Sequence, residues 1–351
     1  MYYELSMTKT FGRYIPFTDK EMTEKFSHQE ENSTEVEQLL EVEVTGDLKG
    51  LRLDQAATQL FPAYSRSRLQ TWIKNGKLTK DGGPAKTRDK LLGGEILVLT
   101  PDLEDQGKWV AEDISLDIIH EDESLIIINK PVGLVVHPGA GNRAGTLLNG
   151  LLFHCEALNK MPRAGIVHRL DKDTSGLMVV AKTLASHASL VAQLREKTVK
   201  RVYQAIVFGL TTAGGTVDEP LGRHPVHRTK RAVSHGADTR DAVTHYRIID
   251  KFRSHSLLQC ELETGRTHQI RVHMAFVGYP LVGDPLYGGR PRIPKGADPQ
   301  LISSLEDFKR QALHAWQLGL EHPETGESML WQVDLPEDMQ KLLQLLEEDN
   351  V

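Results

Sequence analysis

Cysteine is almost missing: Cys155 and Cys260 are the only two in 351 residues. That is too few for a disulfide framework, so reduced thiols and a fold held by its own core are expected. No apolar run approaches the length of a bilayer span, and the polar N-terminus does not resemble a secretory signal, so a cytoplasmic protein without membrane contact is expected. There is no G-x-S-x-G elbow around Ser175, no P-loop and no H-E-x-x-H pair, which sets aside the serine-hydrolase, nucleoside-triphosphatase and zincin chemistries. Gly139, Gly141 and Gly145 lie between an apolar run and a helix expected from Thr146, but their spacing is wrong for a dinucleotide loop and Pro138 removes an amide from the cradle. His268 and His273 fall on opposite faces of a predicted strand, so no shared metal is expected.

What is present is an uneven charge. Residues 1–47 carry a net -7 and residues 321–351 a net -8, whereas residues 48–100 carry +6 and residues 101–320 carry +3. The overall -6 therefore comes from two acidic ends and masks a basic interior able to meet phosphates. An apolar fraction of 39% over this length supports a large domain and a small one. Residues 1–47 read as an acidic, disordered tail. Met7 and Met22 are both possible true starts. Residues 102–111 read as an acidic linker, and residues 112–351 as the main domain.

Residues 48–101 read as a small α/β module. Leu53, Ala56, Ala57 and Leu60 repeat at helical spacing up to Pro62. Ser65 is placed to cap a second helix whose apolar side is Leu69, Trp72 and Ile73. A strand pair follows, turning at Asp81, Gly82 and Gly83 and ending in Ile96 to Leu99. Arg66, Arg68, Lys74 and Lys77 are this module's candidate RNA contacts, with Arg66, Lys74 and Lys77 forming a stripe that fits either an RNA contact or a solvated helix face. The run RLDQAATQLFPAYSRSRLQTWIKNGKL is similar to the S4 RNA-binding domain, which implies the first of these; the family's asparagine-glycine turn is here Asp81-Gly82-Gly83.

In the main domain, strands are predicted at Ile118–Ile119, Leu125–Ile128, Lys200–Phe208, Thr244–Ile249, Leu257–Leu262 and along ALHAWQLGL, with helices from Leu184 to about Lys197 and from Asp338 to Leu346. The alternation in Thr264 to Met274 predicts a strand there too. Without a βαβ rhythm, these elements predict an α+β fold with a mixed, largely antiparallel sheet. Arg223 to Arg231 holds four positive charges, two histidines and no acid, the composition of a solvated loop or of a finger on a nucleic-acid backbone; Arg223, Arg228, Lys230 and Arg231 are its contact candidates.

The chain is organised around GIVHRLDKDTSGLMVVAK, Gly165 to Lys182, where a polar knot sits between two short apolar runs. Its residues are ordinary turn formers, yet a carboxylate beside strands apolar enough to be buried needs a partner, which singles out Asp171. Asp171 and Asp173 lie too close in sequence for a glycosidase pair, so one working aspartate is the better reading. Three stretches then resemble, in order, the motifs of the RluA family of pseudouridine synthases: AGIVHRLDKDTSGLMVVAK its catalytic motif, KRVYQAIVFG its tyrosine motif and LETGRTHQIRVHM its arginine motif. GGTVDEPLGRHP, YPLVGDPLYGG and ALHA extend the likeness from about Leu48 to Met339.

That resemblance implies the pseudouridine synthase fold and isomerisation of uridine in RNA to pseudouridine without a cofactor or metal, the target base being flipped out of its stack. It implies Asp171 as nucleophile on C1′ or base at the ribose, and Arg266 as the partner of its carboxylate. Tyr203 would stack on the detached uracil, Arg169 would help displace the base, and Ile270 would pack near the ring. The implied partner is large-subunit (23S) ribosomal RNA or the large ribosomal subunit, met by a monomer. Two rivals are a non-catalytic RNA-binding or assembly factor of the same build and a base-excising N-glycosylase.

Overall fold

Hydrophobic pattern divides the chain before any site is formed, and the computed structural model, which describes residues 39–349 except 63, 65, 102–108, 140 and 228, separates into two units between Val110 and Ala111. In the smaller unit, β1 (Leu40–Glu43) precedes α1 (Leu53–Leu60), α2 (Arg66–Lys74), β2 (Leu78–Lys80) and β3 (Ile96–Leu99). The sheet order is β1-β3-β2, antiparallel throughout. Leu53, Ala56 and Ala57 of α1 and Leu69, Trp72 and Ile73 of α2 bury the faces their spacing requires. Asp81 and Gly82 both take positive φ at the predicted turn.

Two expectations change here. The sheet begins inside the stretch read as tail, because Leu40 to Glu43 pairs with Leu99 to Ile96 and completes a three-stranded sheet that two strands alone would leave open. Lys77 lies beyond the end of α2, so the stripe is not one helix face. The cap expected at Ser65 lies outside the described residues.

The larger unit runs β4 (Ile118–Glu121), β5 (Leu125–Lys130), α3 (Leu147–His154), β6 (Ser175–Ala181), α4 (Leu184–Glu196), β7 (Lys200–Phe208), β8 (Gly215–Asp218), β9 (Leu221–Arg223), β10 (Arg231–Val233), β11 (Val243–Lys251), β12 (His255–Leu262), α5 (Gln269–Phe276), α6 (Pro299–Asp307), β13 (Leu313–Glu321), β14 (Ser328–Gln332) and α7 (Glu337–Glu348). Its main sheet has the order β4-β5-β6-β13-β7-β12-β11-β8, with β14 on β13. The pairing of β13 with β6 is parallel and the others in this sheet are antiparallel, as an α+β fold requires. All seven residues of β6 are buried, and each large apolar side chain taken from water contributes roughly 2 kcal/mol. Gly176 sits where β6 meets β13: its φ is 111°, and a Cβ there would stand 2.3 Å from the Ala315 carbonyl oxygen. Only glycine lets the two backbones approach so closely.

Residues 264–274 depart from the predicted strand. They form a turn and then α5, a helix buried on nearly every side: Gln269 through Met274 are all buried. Ile270 and Met274 enter the main core while Val272 packs with Leu221 and Ala242. A helix buried all round shows no 3.6-residue stripe, and its alternating polar and apolar residues mimic a strand. Gln269 fixes the turn, its Oε1 accepting from the Thr264 hydroxyl (2.8 Å) and the Arg266 amide (3.0 Å) while its Nε2 donates to the Val243 carbonyl (2.9 Å).

Several imidazoles are packed into this unit uncharged. Burial, aided by Arg201, pushes His168 down to about 3, and burial pushes His255 and His314 down to about 4. In the unfolded chain these groups titrate near 6.5. Below that pH the unfolded chain takes up protons that the folded one refuses, so the contribution of these rings to stability is fully present above pH ~6.5 and is lost as pH falls toward ~3–4. Urea midpoints measured from pH ~7.5 down to ~4.5 are expected to fall steadily below pH ~6.5; an unchanged midpoint would contradict the neutral, buried state of these rings.

Candidate active site

The knot between Ile166 and Ser175 is held from below by a buried ammonium. Lys130, at the end of β5, donates from Nζ to the carbonyls of Pro131 (2.6 Å), Leu134 (3.0 Å) and Lys172 (3.0 Å). Burial pushes its pKa down to about 8, against the opposing pull of Asp173 and Asp171. On the other side, Arg310 donates to the Asp173 carbonyl and is itself gripped by both carboxylate oxygens of Asp338 at 2.6 Å. Gln311 Nε2 donates to the Thr174 hydroxyl at 2.9 Å, and the Ser175 hydroxyl meets His314 Nδ1 at 2.9 Å. His168, uncharged, accepts the Val179 amide on Nε2 at 3.0 Å, which puts its proton on Nδ1. The loop is therefore rigid, and Asp171 is presented from it with 18% of its side chain exposed.

The partner of Asp171 is Arg271, not Arg266. Arg271 Nη1 donates to Asp171 Oδ2 at 2.9 Å, while its Nε and Nη2 engage Asp284 at 2.7 and 2.9 Å. Asp284 is fully buried and also accepts the amides of Leu286 and Tyr287 on Oδ1. Burial alone would lower the Arg271 pKa; the two carboxylates raise it instead. The guanidinium also stacks against the Tyr287 ring, 5.2 Å from its centroid. Arg266 belongs to the preceding turn, where its Nε donates to the Asp241 carbonyl at 3.0 Å. A strand register would have placed Arg271 beside Gln269 and His273 on one face; the helix turns it toward the knot.

Tyr203 lies in the middle of β7, buried, with Cys260 opposite it on β12. Burial pushes its phenol up to about 12, with Arg201 lowering and Asp171 raising it, so the ring is a neutral surface within electrostatic reach of Asp171. Ile270 is buried in the main core. Arg169 is exposed beside Asp171.

The residues proposed for RNA contact divide. Arg66 is committed to structure: its Nη2 and Nε donate to the buried Asp54 at 2.7 and 3.0 Å. Arg68 stacks on Trp72, 4.8 Å from its ring centroid. Lys74 is exposed. Arg223 and Arg231 face each other across the two-stranded sheet formed by β9 and β10. Lys230 lies 5.9 Å from the Tyr287 ring centroid, and Arg228 lies outside the described residues.

Sequence reasoning gave no role to Asp284 or Tyr287 and weighed His268 only as a metal ligand. The signal for the first was available: a carboxylate inside the apolar run LVGDPLYG needs a buried cation.

A family model described as RNA pseudouridylate synthase matches residues 124–276. The ribosomal large subunit pseudouridine synthase D of Pseudomonas aeruginosa is 57% identical over 307 residues, which is 88% of this chain and 95% of that protein. The protein of the same name from Escherichia coli K12 is 53% identical over 301 residues, 86% of this chain and 92% of that one. Among solved structures, human RNA Pseudouridylate Synthase Domain Containing 4 superposes with a TM-score of 0.52 at 27% identity, covering 66% of this chain and 92% of that one.

Proposed function

The chain belongs to the RNA pseudouridylate synthases, and we propose that it converts specific uridines of large-subunit ribosomal RNA to pseudouridine with Asp171 as the catalytic residue. The observation that carries this reading is the pairing of Asp171 with Arg271 at the end of a rigid loop, with the neutral Tyr203 ring nearby. The reaction breaks the bond from C1′ to N1 and joins C1′ to C5; C5 loses its proton to water and N1 takes one up, so atoms and electrons balance within the substrate and water. Asp171 acts at the ribose, as nucleophile on C1′ or as base. Arg271 holds one carboxylate oxygen and thereby sets which oxygen faces the sugar. Tyr203 offers the detached uracil a face to stack on while it rotates, and Arg169 fills the space the base leaves on flipping.

The target RNA is the one named for the two bacterial relatives. The work is that of a monomer in the cytoplasm, and among the described residues no helix is long and apolar enough to cross a membrane. Tritium release from RNA transcribed with 5-tritiated uridine tests the reading: release from large-subunit ribosomal RNA, and none from transfer RNA, is expected. Release from transfer RNA alone would refute the substrate, and release from neither would favour the non-catalytic factor.

The smaller unit, read as an S4-like module, supplies affinity and site choice. A protein beginning at Ala111 is expected to keep the chemistry but to bind ribosomal RNA about tenfold or more weakly, with a shallower salt dependence. Unchanged affinity and an unchanged modification pattern would show that this unit does not read the RNA.

A further inference from the structure

Resting on the reading above, the inference concerns the second oxygen of the catalytic carboxylate. Arg271 takes Oδ2 of Asp171, and His268 Nε2 stands 3.9 Å from Oδ1. His268 stands at the N-cap of α5 in the left-handed region, with φ 60°, a conformation that a residue with a Cβ adopts at some cost. Its other nitrogen, Nδ1, lies 2.9 Å from the Tyr287 hydroxyl, and that hydroxyl accepts the backbone amide of Arg231, on β10, at 2.8 Å.

These contacts fix where the protons are. Burial lowers the pKa of His268, with Arg271 and Arg169 assisting and Asp171 and Asp284 opposing, so the ring carries one proton. Burial raises the pKa of Tyr287, which keeps its hydrogen. With the Arg231 amide already donating to the Tyr287 oxygen, the phenolic hydrogen is free to point at Nδ1, which leaves the imidazole proton on Nε2. The opposite tautomer would turn a lone pair toward a carboxylate. At 3.9 Å the Nε2–H contact is longer than a hydrogen bond, as catalytic contacts often are in the absence of substrate.

We propose that His268 is a positioning residue: its Nε2–H, held in that tautomer by Tyr287, orients Asp171 Oδ1 and leaves the carboxylate with one face open to the ribose. Asp171 is then held from two sides, by Arg271 on one oxygen and by His268 on the other. The β10 amide makes the hairpin of β9 and β10 part of the arrangement.

The test compares His268→Leu, His268→Gln and Tyr287→Phe in the full-length protein, with turnover of ribosomal RNA by the unaltered protein as the control for the reaction itself. His268→Leu is expected to lower kcat about 10- to 100-fold with KM within about twofold. His268→Gln places an amide N–H where Nε2 stood and is expected to recover most of that loss, although both side chains meet the same backbone strain. Tyr287→Phe is expected to lower kcat in the same way and to add nothing to His268→Leu in the double variant. Equal impairment by Leu and Gln, a kcat for His268→Leu equal to that of the unaltered protein, or additive losses in the double variant would overturn the proposal. Absence of turnover by the unaltered protein would refute the proposed function instead.

Discussion

Asp171→Asn is expected to abolish pseudouridine formation, by at least about 10⁴-fold, while RNA affinity stays within about twofold. Asparagine has the size and shape of aspartate and still offers Arg271 an acceptor at Oδ1. Arg271 keeps its bidentate grip on Asp284, so the scaffold survives. What disappears is the anionic oxygen needed to attack C1′ or to take a proton from the ribose. RNA affinity is expected to rest on basic surfaces that the substitution does not touch. Single-turnover rates and filter binding on the same preparation separate the two effects. A variant that kept a tenth of the normal rate would remove Asp171 from the chemistry.

Arg271→Met should damage both activity and stability. Its guanidinium is 4% exposed and stands between two carboxylates, one of them fully buried. Without it, the Asp284 carboxylate keeps, among the described residues, the amides of Leu286 and Tyr287, and an unpaired buried charge costs about 3–5 kcal/mol. Adding Asp284→Asn to Arg271→Met should restore much of the stability, since the stranded charge is gone, and none of the activity, since Asp171 still lacks its guanidinium partner. Arg266→Met is the informative contrast. Its Nε meets a backbone carbonyl, so a far smaller loss is expected in both measurements. Urea denaturation with single-turnover assays decides the matter, and a larger loss of rate for Arg266→Met than for Arg271→Met would contradict the geometry.

The choice between those two arginines shows where the sequence was legible and where it was not. Strands with a one-sided or fully apolar pattern were readable: Lys200–Phe208 forms β7, and the runs at Leu125 and Leu257 lie within β5 and β12. Helices with a single apolar face were readable as well, as with α1, α2 and α7. The turn and helix from 264 to 276 were not, because burial on all sides erases the helical stripe and leaves an alternation that belongs to strands. The resemblance implies Arg266 for this role, and the packing of α5 gives it instead to Arg271, five residues further along. The strand at Leu40 to Glu43 was hidden for a different reason: its glutamates face outward and blend with the acidic residues before them. Asp171 itself was legible because a carboxylate next to buried strands needs a partner. Which partner was a matter of tertiary packing, set by residues 100 and 113 positions further along the chain.

Direct proof lies in the mass balance of the nucleosides. Large-subunit ribosomal RNA treated with the full-length protein, or with Asp171→Asn, is digested completely, and uridine, pseudouridine and free uracil are quantified together. Pseudouridine gained mole for mole as uridine is lost, with no free uracil and only with Asp171 present, is the expected result. Free uracil in place of pseudouridine would mean base excision, and equal pseudouridine from the asparagine variant would mean that the catalytic group lies elsewhere.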